Sequence, residues 1–406
     1  MYDALIIGGR PAGSATAMLL ARKGYRVLLV EKASVPSDVP RGHFIHAPGV
    51  ALLKKWGLLD KVIATNCPPA RQISFNLGPF ALTAAVPPID GVDVGYAPRH
   101  EIIDALLYEA AKEAGAETRD NFLVQELLMN EEGRVNGILG RNAEGKAVTE
   151  SARIVIGADG LHSTVARAVQ APVYNEKPTL SVAYFAYFRN LSQNTVTLYV
   201  RENGTFGVFP TNDNQICIFV QFPYREFAEF RKDVHGNFTR LLTSVPEIAE
   251  LLSNSQQVGN ILASSDMPNF FRKPFGPGWA LVGDAGYHKD PITGQGFTDA
   301  FFCADLLSEA LHAAFSGRSS MEEALAGYEQ QRNEHVMPLY EFTCQLASFE
   351  HPSPEMQQLF GALYGNQVET SRFLGTIAGT VPMQEFYDPE NIGRIMASAS
   401  PAALRS

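Results

Sequence analysis

The sequence is poor in tryptophan and cysteine, with two and four among its 406 residues. No stretch approaches the roughly 20 consecutive apolar residues a membrane-spanning helix needs. Cys67, Cys217, Cys303 and Cys344 are far apart and form no Cys-x-x-Cys pair. That spacing suggests no metal site and reads as reduced, buried thiols. Positive charge is scarce too: 33 Lys and Arg stand against 43 Asp and Glu, a net charge of −10. With no broad basic face, general nucleic-acid binding is disfavoured, and the acidity reads as ordinary solubility. The start has no basic segment leading into a long apolar one, so no signal peptide is expected and the expected location is cytoplasmic. Internal repeats and low-complexity linkers are absent as well.

What remains is a globular profile, 46% hydrophobic and 19% charged, long enough for two or three domains. Residues 4–7 form a short apolar run, 12–22 follow a helical pattern, Gly24 is a helix stop, and 27–30 form a second apolar run ending at Glu31. This is a βαβ unit whose first turn reads Gly8-Gly9-Arg10-Pro11-Ala12-Gly13. A dinucleotide-binding turn, Gly-x-Gly-x-x-Gly, uses its glycines for the tight turn, the approach of the phosphate and close helix–strand packing. Gly8 and Gly13 keep the first and third of these jobs, while Arg10 stands where the second glycine belongs. Glu31 lies where an acid can accept hydrogen bonds from ribose hydroxyls. On this turn alone, a strand–loop–helix that binds no nucleotide stays open.

Further along, 48–56 and 100–114 read as helices, and 72–85 and 92–96 as strands and loops. From 180 to 222 the pattern turns β-rich: 181–188, 195–199, 205–209 and 215–221, separated by turn residues, read as an antiparallel sheet. The chain from 321 onward is mostly helical. Two more motifs follow the strand–turn–helix plan. Ile154-Val-Ile-Gly-Ala-Asp-Gly160 ends a strand, and Ser163 can cap the next helix. Trp279-Ala-Leu-Val-Gly-Asp284 ends another, and Pro291-Ile-Thr-Gly-Gln-Gly296 opens a helix. Asp284 can accept hydrogen bonds from a polyol, and the glycines let backbone N–H groups face a ligand at a helix N-terminus.

These three motifs, in this order and spacing, with Pro98-Arg99 opening a helix, resemble the class A flavoprotein monooxygenases, the para-hydroxybenzoate hydroxylase-like family, over about the first 315 residues. The resemblance implies an α/β fold. In it a Rossmann-like FAD-binding domain (1–70, 99–178, 263–335) interleaves with a β-rich substrate domain (71–98, 179–262), followed by a helical region (336–406). It implies FAD as cofactor and NADH or NADPH as reductant. O2 would react through a flavin C4a-hydroperoxide to hydroxylate or epoxidise an apolar or aromatic small molecule. It also implies positions. Gly8, Arg10, Pro11, Ala12, Gly13, Glu31 and Lys32 would hold the ADP part of FAD, and Val124 would flank the adenosine. Arg41 and Arg99 would approach the pyrophosphate or flavin, and Asp159 would serve FAD support and NAD(P)H use. Gly283 and Asp284 would meet the ribityl or phosphate end, and Pro291, Gly294, Gln295, Gly296 and Phe297 the isoalloxazine. Thr298 departs from the Asn common in the family after Gly-Gln-Gly-x.

In such chemistry few catalytic side chains are needed. Pro291 and His288, inside the third motif, are the flavin-proximal catalytic candidates. His43, His46 and His288 are the candidate bases, although a polar core or surface histidine is the plainer reading of the first two. His46, Tyr184, Phe188 and Phe206 are the expected substrate-pocket residues. The expected partners are a small-molecule substrate and O2, with no membrane span, in a monomer or homodimer. The alternative function is a flavin-dependent C=C reductase resembling geranylgeranyl reductases, which share the first and third motifs. A flavin halogenase is disfavoured: the Trp-x-Trp-x-Ile-Pro signature is missing, because Trp56 and Trp279 are the sole tryptophans.

Overall fold

Tyr2–Ile7 is apolar but for Asp3 and almost wholly buried, as a strand covered on both faces must be. In the computed structural model, which describes residues 1–36, 44–190 and 195–398, it pairs in parallel with Val27–Val30 on one side and Ala147–Gly157 on the other. The sheet runs Phe275–Gly276, Trp279–Leu281, Ala147–Gly157, Tyr2–Ile7, Val27–Val30, Glu117–Arg119. Two strands absent from the sequence reading, Leu123–Met129 and Val135–Arg141, extend it antiparallel from Ala147–Gly157. Helices Pro11–Arg22, His100–Glu113 and Gly296–Phe315 pack together against it. The C-terminal ends of Tyr2–Ile7, Ala147–Gly157 and Trp279–Leu281 thus lie side by side, and each leads into one of the three motif turns. Ligands of open α/β sheets sit at this end of the strands.

The first turn shows how the glycines act. Gly8 has φ +111°, and a Cβ there would lie 2.3 Å from the carbonyl oxygen of Ala158. A Cβ on Gly13 would lie 1.8 Å from the carbonyl oxygen of Gly8. Arg10, between them, has φ −92° and ψ −170°, ordinary extended backbone, so a side chain at that position carries no conformational strain.

The second sheet runs Gln256–Ser264, Ser181–Arg189, Ile216–Pro223, Gly204–Pro210, Val196–Arg201, Ile73–Asn76, Ala81–Ala84. It is antiparallel as expected except for one parallel pair, Val196–Arg201 with Ile73–Asn76. Alternation sorts its side chains onto two apolar faces. Tyr184, Phe188, Phe206, Ile218 and Val220 point to one face, where they form a core with Phe238, Leu242 and Ile248 of the helices Val234–Thr243 and Pro246–Leu252. The expectation that Tyr184, Phe188 and Phe206 line a substrate pocket is therefore corrected. Helices between the strands, unread in the sequence, cover that face.

At the C-terminus, Met321–Ala347 continues unbroken across the expected boundary at 335, and Gln367–Ala378 packs on Ala81–Ala84. Among the described residues no helix is long and apolar enough to cross a membrane.

The contact between Gly13 and Gly8 generates a prediction. Alanine at 13 would gain up to about 1 kcal/mol of helix propensity. A methyl 1.8 Å from a backbone oxygen outweighs it, because overpacking costs about 1–3 kcal/mol and the obstacle here is main chain. Gly13→Ala should lower the urea unfolding midpoint, and an unchanged midpoint would show that the turn yields freely.

Candidate active site

A cavity of about 680 Å³ opens where the three motif turns meet the second sheet. One end is lined by Gly8, Arg10, Pro11, Ala12, Glu31, Lys32 and Val124. The Glu31 carboxylate is fixed there, Oε2 accepting from Gly9 N–H at 2.7 Å and Oε1 from Ala33 N–H at 3.0 Å. The first turn of Pro11–Arg22 leaves the N–H groups of Ala12 and Gly13 without intrahelical acceptors. Asp284 and Gly283 line the cavity from the third motif, and Gly283, with φ +61°, packs so closely that a Cβ would lie 2.8 Å from Ala12 Cβ. Pro291, Gly294, Gln295, Gly296 and Phe297 form the next part of the wall. Gly294 turns the chain at φ +66°, and Gln295 donates to the carbonyl of Ile377, so the C-terminal region also supplies wall.

Several expected site residues lie elsewhere or are otherwise engaged. Gly13 packs behind the turn and does not line the cavity. Arg99 does not line it either. Its Nη2 pairs with Asp213 at 2.6 Å and its Nε lies 3.1 Å from Glu101, without hydrogen-bond geometry in the second case. Asp213 sits in a left-handed turn and draws the guanidinium toward itself; the neighbouring His100 faces the cavity instead. Asp159 lines the cavity, but its carboxylate accepts from Ser163 Oγ at 2.5 Å and from the N–H groups of Thr164 and Val165. It therefore holds the start of Thr164–Ala168, whose own cap is Ser163, as expected. Arg41 and His43 fall outside the described residues.

Another part of the cavity wall is the second sheet's other face: Ala183, Phe185, Leu198, Phe209, Cys217, Phe219 and Gln221. Burial pushes the Cys217 thiol up to about 12, so it remains a neutral, inert surface. Sequence reasoning missed the polar groups that join this face to the Pro291 turn. Asp290, fully buried, accepts from Ser181 Oγ at 2.5 Å, from Gln221 Nε2 at 2.5 Å and from Ile292 N–H at 3.0 Å. Its own N–H donates to Asn269 Oδ1 at 2.7 Å. Burial raises the Asp290 pKa, and the hydrogen bonds from Ser181, Ile292 and Gln221 oppose the rise. The signal available was its place between Lys289 and Pro291 in the third motif. Lys289, buried beside it, is ion-paired to Asp299 in the first turn of Gly296–Phe315 and donates to Tyr287 Oη at 2.7 Å.

Two of the expected histidines, His46 and His288, line the cavity, and each makes one bond to a carbonyl. His288 Nδ1 lies 2.5 Å from the carbonyl of Pro268, so Nδ1 carries hydrogen, and in the neutral ring Nε2 is the acceptor. His46 Nε2 donates to the carbonyl of Thr293 at 2.9 Å, leaving Nδ1 as a buried, unpartnered acceptor. Burial pushes the His46 pKa down to about 4, the nearby Lys289 charge adds to this, and the Thr293 carbonyl opposes it. At neutral pH the ring is uncharged.

The FAD binding domain family profile matches residues 1–343. The chain belongs to this family, that of the class A flavoprotein monooxygenases. Its relatives carry several activities. The digeranylgeranylglycerophospholipid reductase of Methanosarcina acetivorans is 29% identical over 347 residues, covering 82% of this chain and 81% of the relative. The myxobacterial chondrochloren halogenase CndH, a variant FAD-dependent halogenase, superposes with a TM-score of 0.80 over 99% of each chain at 22% identity. PqsL of Pseudomonas aeruginosa, described as a probable FAD-dependent monooxygenase, superposes with a TM-score of 0.67 over 92% of this chain and 98% of its own at 23% identity. The two structural likenesses establish the fold, and the FAD-dependent oxidoreductase family is common ground.

His46 supplies a test by pH. Between the ordinary histidine value of 6.5 and about 4, the unfolded chain binds a proton that the folded protein excludes. Stability therefore falls as pH drops through that window, by roughly 2–4 kcal/mol in full. His46→Gln removes the titration and keeps a donor for Thr293. Its unfolding free energy relative to wild type should rise by that amount between pH 7 and pH 4. A difference that does not change with pH would place the imidazole in contact with solvent.

Proposed function

We propose that the protein is an FAD-dependent monooxygenase that uses NADH or NADPH and O2 to hydroxylate or epoxidise an apolar or aromatic small molecule. The observation that supports it best is continuity. A single cavity is lined by Gly8, Glu31 and Asp284, by the Pro291–Gly296 turn, and by the aromatic face carrying Phe185, Phe209 and Phe219. The residues present fit FAD. Glu31 offers oriented acceptors to ribose hydroxyls, and the close packing of Gly8, Gly13 and Gly283 leaves backbone where a phosphate must approach. Arg10, Pro11, Ala12, Lys32 and Val124, which line the cavity, would complete the nucleotide end, with Asp284 meeting the ribityl and Pro291, Gly294, Gln295, Gly296 and Phe297 the isoalloxazine.

When bound and reduced, FAD supplies the electrons that activate O2. The chain's own residues position substrate and exclude water. The aromatic face offers dispersion contacts, the neutral Cys217 and His46 add no charge, and His288 Nε2 offers a proton acceptor. A second reading, reduction of a C=C bond, is favoured by the reductase relative from Methanosarcina acetivorans.

The two readings separate by product mass. NADH and NADPH oxidation is followed with aromatic and isoprenoid compounds under air. A product heavier by one oxygen supports the monooxygenase, and one heavier by two hydrogens, formed without O2, supports the reductase. The cofactor itself is tested at Asp284. Loss of a charged hydrogen-bond acceptor costs about 1.5–3 kcal/mol, so Asp284→Ala should bind FAD roughly ten- to a hundredfold more weakly. Equal dissociation constants would move the ribityl site elsewhere.

A further inference from the structure

The polar cluster at the meeting of the two sheets fixes one side chain in a single orientation. Gln221 lies in Ile216–Pro223, flanked across the sheet by the small residues Ala183 and Thr205, which leave room for its amide. Its Nε2 donates twice, to Ser181 Oγ at 2.6 Å and to Asp290 Oδ1 at 2.5 Å. Ser181 Oγ has its own hydrogen committed to Asp290 Oδ2 at 2.5 Å. Each atom in this ring then has one consistent role. The carboxylate accepts at both oxygens, the serine donates once and accepts once, and the amide nitrogen spends both hydrogens. A flipped amide would set a carbonyl oxygen against a carboxylate oxygen at hydrogen-bond distance, so the ring selects one amide orientation.

The consequence lies at the other amide atom. Gln221 Oε1 has no hydrogen-bond partner among the described residues, and Gln221 lines the cavity. The side chains beside it on that face, Ala183, Phe185, Cys217 and Phe219, offer no comparable acceptor. A ligand donor that reaches this oxygen gives it the partner that the protein's own side chains do not.

Resting on the proposed substrate side of this cavity, we propose that Gln221 determines specificity. Its Oε1 is a fixed acceptor that selects apolar, aromatic molecules bearing an O–H or N–H donor, and Ser181 and Asp290 are the positioning residues that hold it so. A purely hydrocarbon ligand of the same shape leaves Oε1 unmet and binds less well.

The test uses the FAD-loaded full chain, oxidised and without NAD(P)H, so that binding is read without turnover. Isothermal titration calorimetry compares 2-naphthol with 2-methoxynaphthalene, which has the same rings but no donor. Wild type should prefer 2-naphthol about tenfold, the worth of one neutral hydrogen bond. Gln221→Met, close in volume but with no amide, should bring the ratio near one. Ser181→Ala, which removes one of the two acceptors orienting Nε2, should reduce it while leaving Gln221 in place. Equal affinities in wild type, binding of neither probe, or a preference retained in Gln221→Met would overturn the proposal. If Gln221→Met does not fold, the wild-type ratio still decides. Flavin content is measured separately. A protein that takes up no FAD defeats the proposed function, whereas an FAD-loaded protein indifferent to the naphthol hydroxyl defeats only the role of Gln221.

Discussion

Asp290 holds the two halves of the cavity together. Its carboxylate is wholly buried and tied to Ser181 and Gln221 of the second sheet, and the same carboxylate caps the turn Pro291–Thr293 that leads into Gly296–Phe315, accepting from Ile292 N–H. Taking a carboxylate out of water is expensive unless each oxygen is met, and here both are. The cost of leaving any of those donors unmet keeps the sheet and the turn in register. Around that constraint the other buried charges fall into place. Lys289 is neutralised by Asp299 in the first turn of the following helix, where an acid also complements the helix dipole. The positive charge of Lys289 in turn helps keep His46 neutral.

The glycine turn at the start of the chain obeys a different constraint, that of main-chain approach. Gly8 and Gly13 are required because a Cβ at either would strike a backbone carbonyl, and no side-chain adjustment relieves such a contact. Arg10 stands between them at φ −92° and leads directly into the helix at Pro11. Two of the motif's three glycines answer to the fold's own packing. The middle position is free to carry a side chain that lines the cavity.

Local patterns revealed the strands ending in motif turns, the helices at 12–22 and 100–114 and the one opened by Gly296, and the β-rich insert. Those elements are set by hydrophobic period and by Gly and Pro. Which face of the insert meets the cavity was not legible. Both faces of Ser181–Arg189 and Ile216–Pro223 are apolar, so alternation groups Tyr184 with Phe188 and Cys217 with Phe219 but cannot say which group is covered by helices. Arg99 was misplaced for a related reason. Its pairing with Asp213 joins residues 114 positions apart, and no local pattern carries that. The cluster of Ser181, Gln221 and Asp290 likewise spans 109 residues between Ser181 and Asp290.

Relatives named as a reductase, a halogenase and a monooxygenase share this frame at 22–29% identity, so the frame positions a cavity without choosing its chemistry. The choice falls to the few side chains that face the ligand. In this chain the inner face of the second sheet alternates aromatic and small residues with a single amide, and that amide is locked from behind. An isoprenoid chain offers no hydrogen-bond donor along its length, so an oriented, unpartnered carbonyl oxygen facing the cavity would gain nothing from it. In the proposed role of Gln221, a phenol or an aromatic amine would meet the same oxygen with a donor, beside the rings of Phe185 and Phe219. The proposed role of Gln221 would therefore set this wall apart from one built for a bare isoprenoid chain.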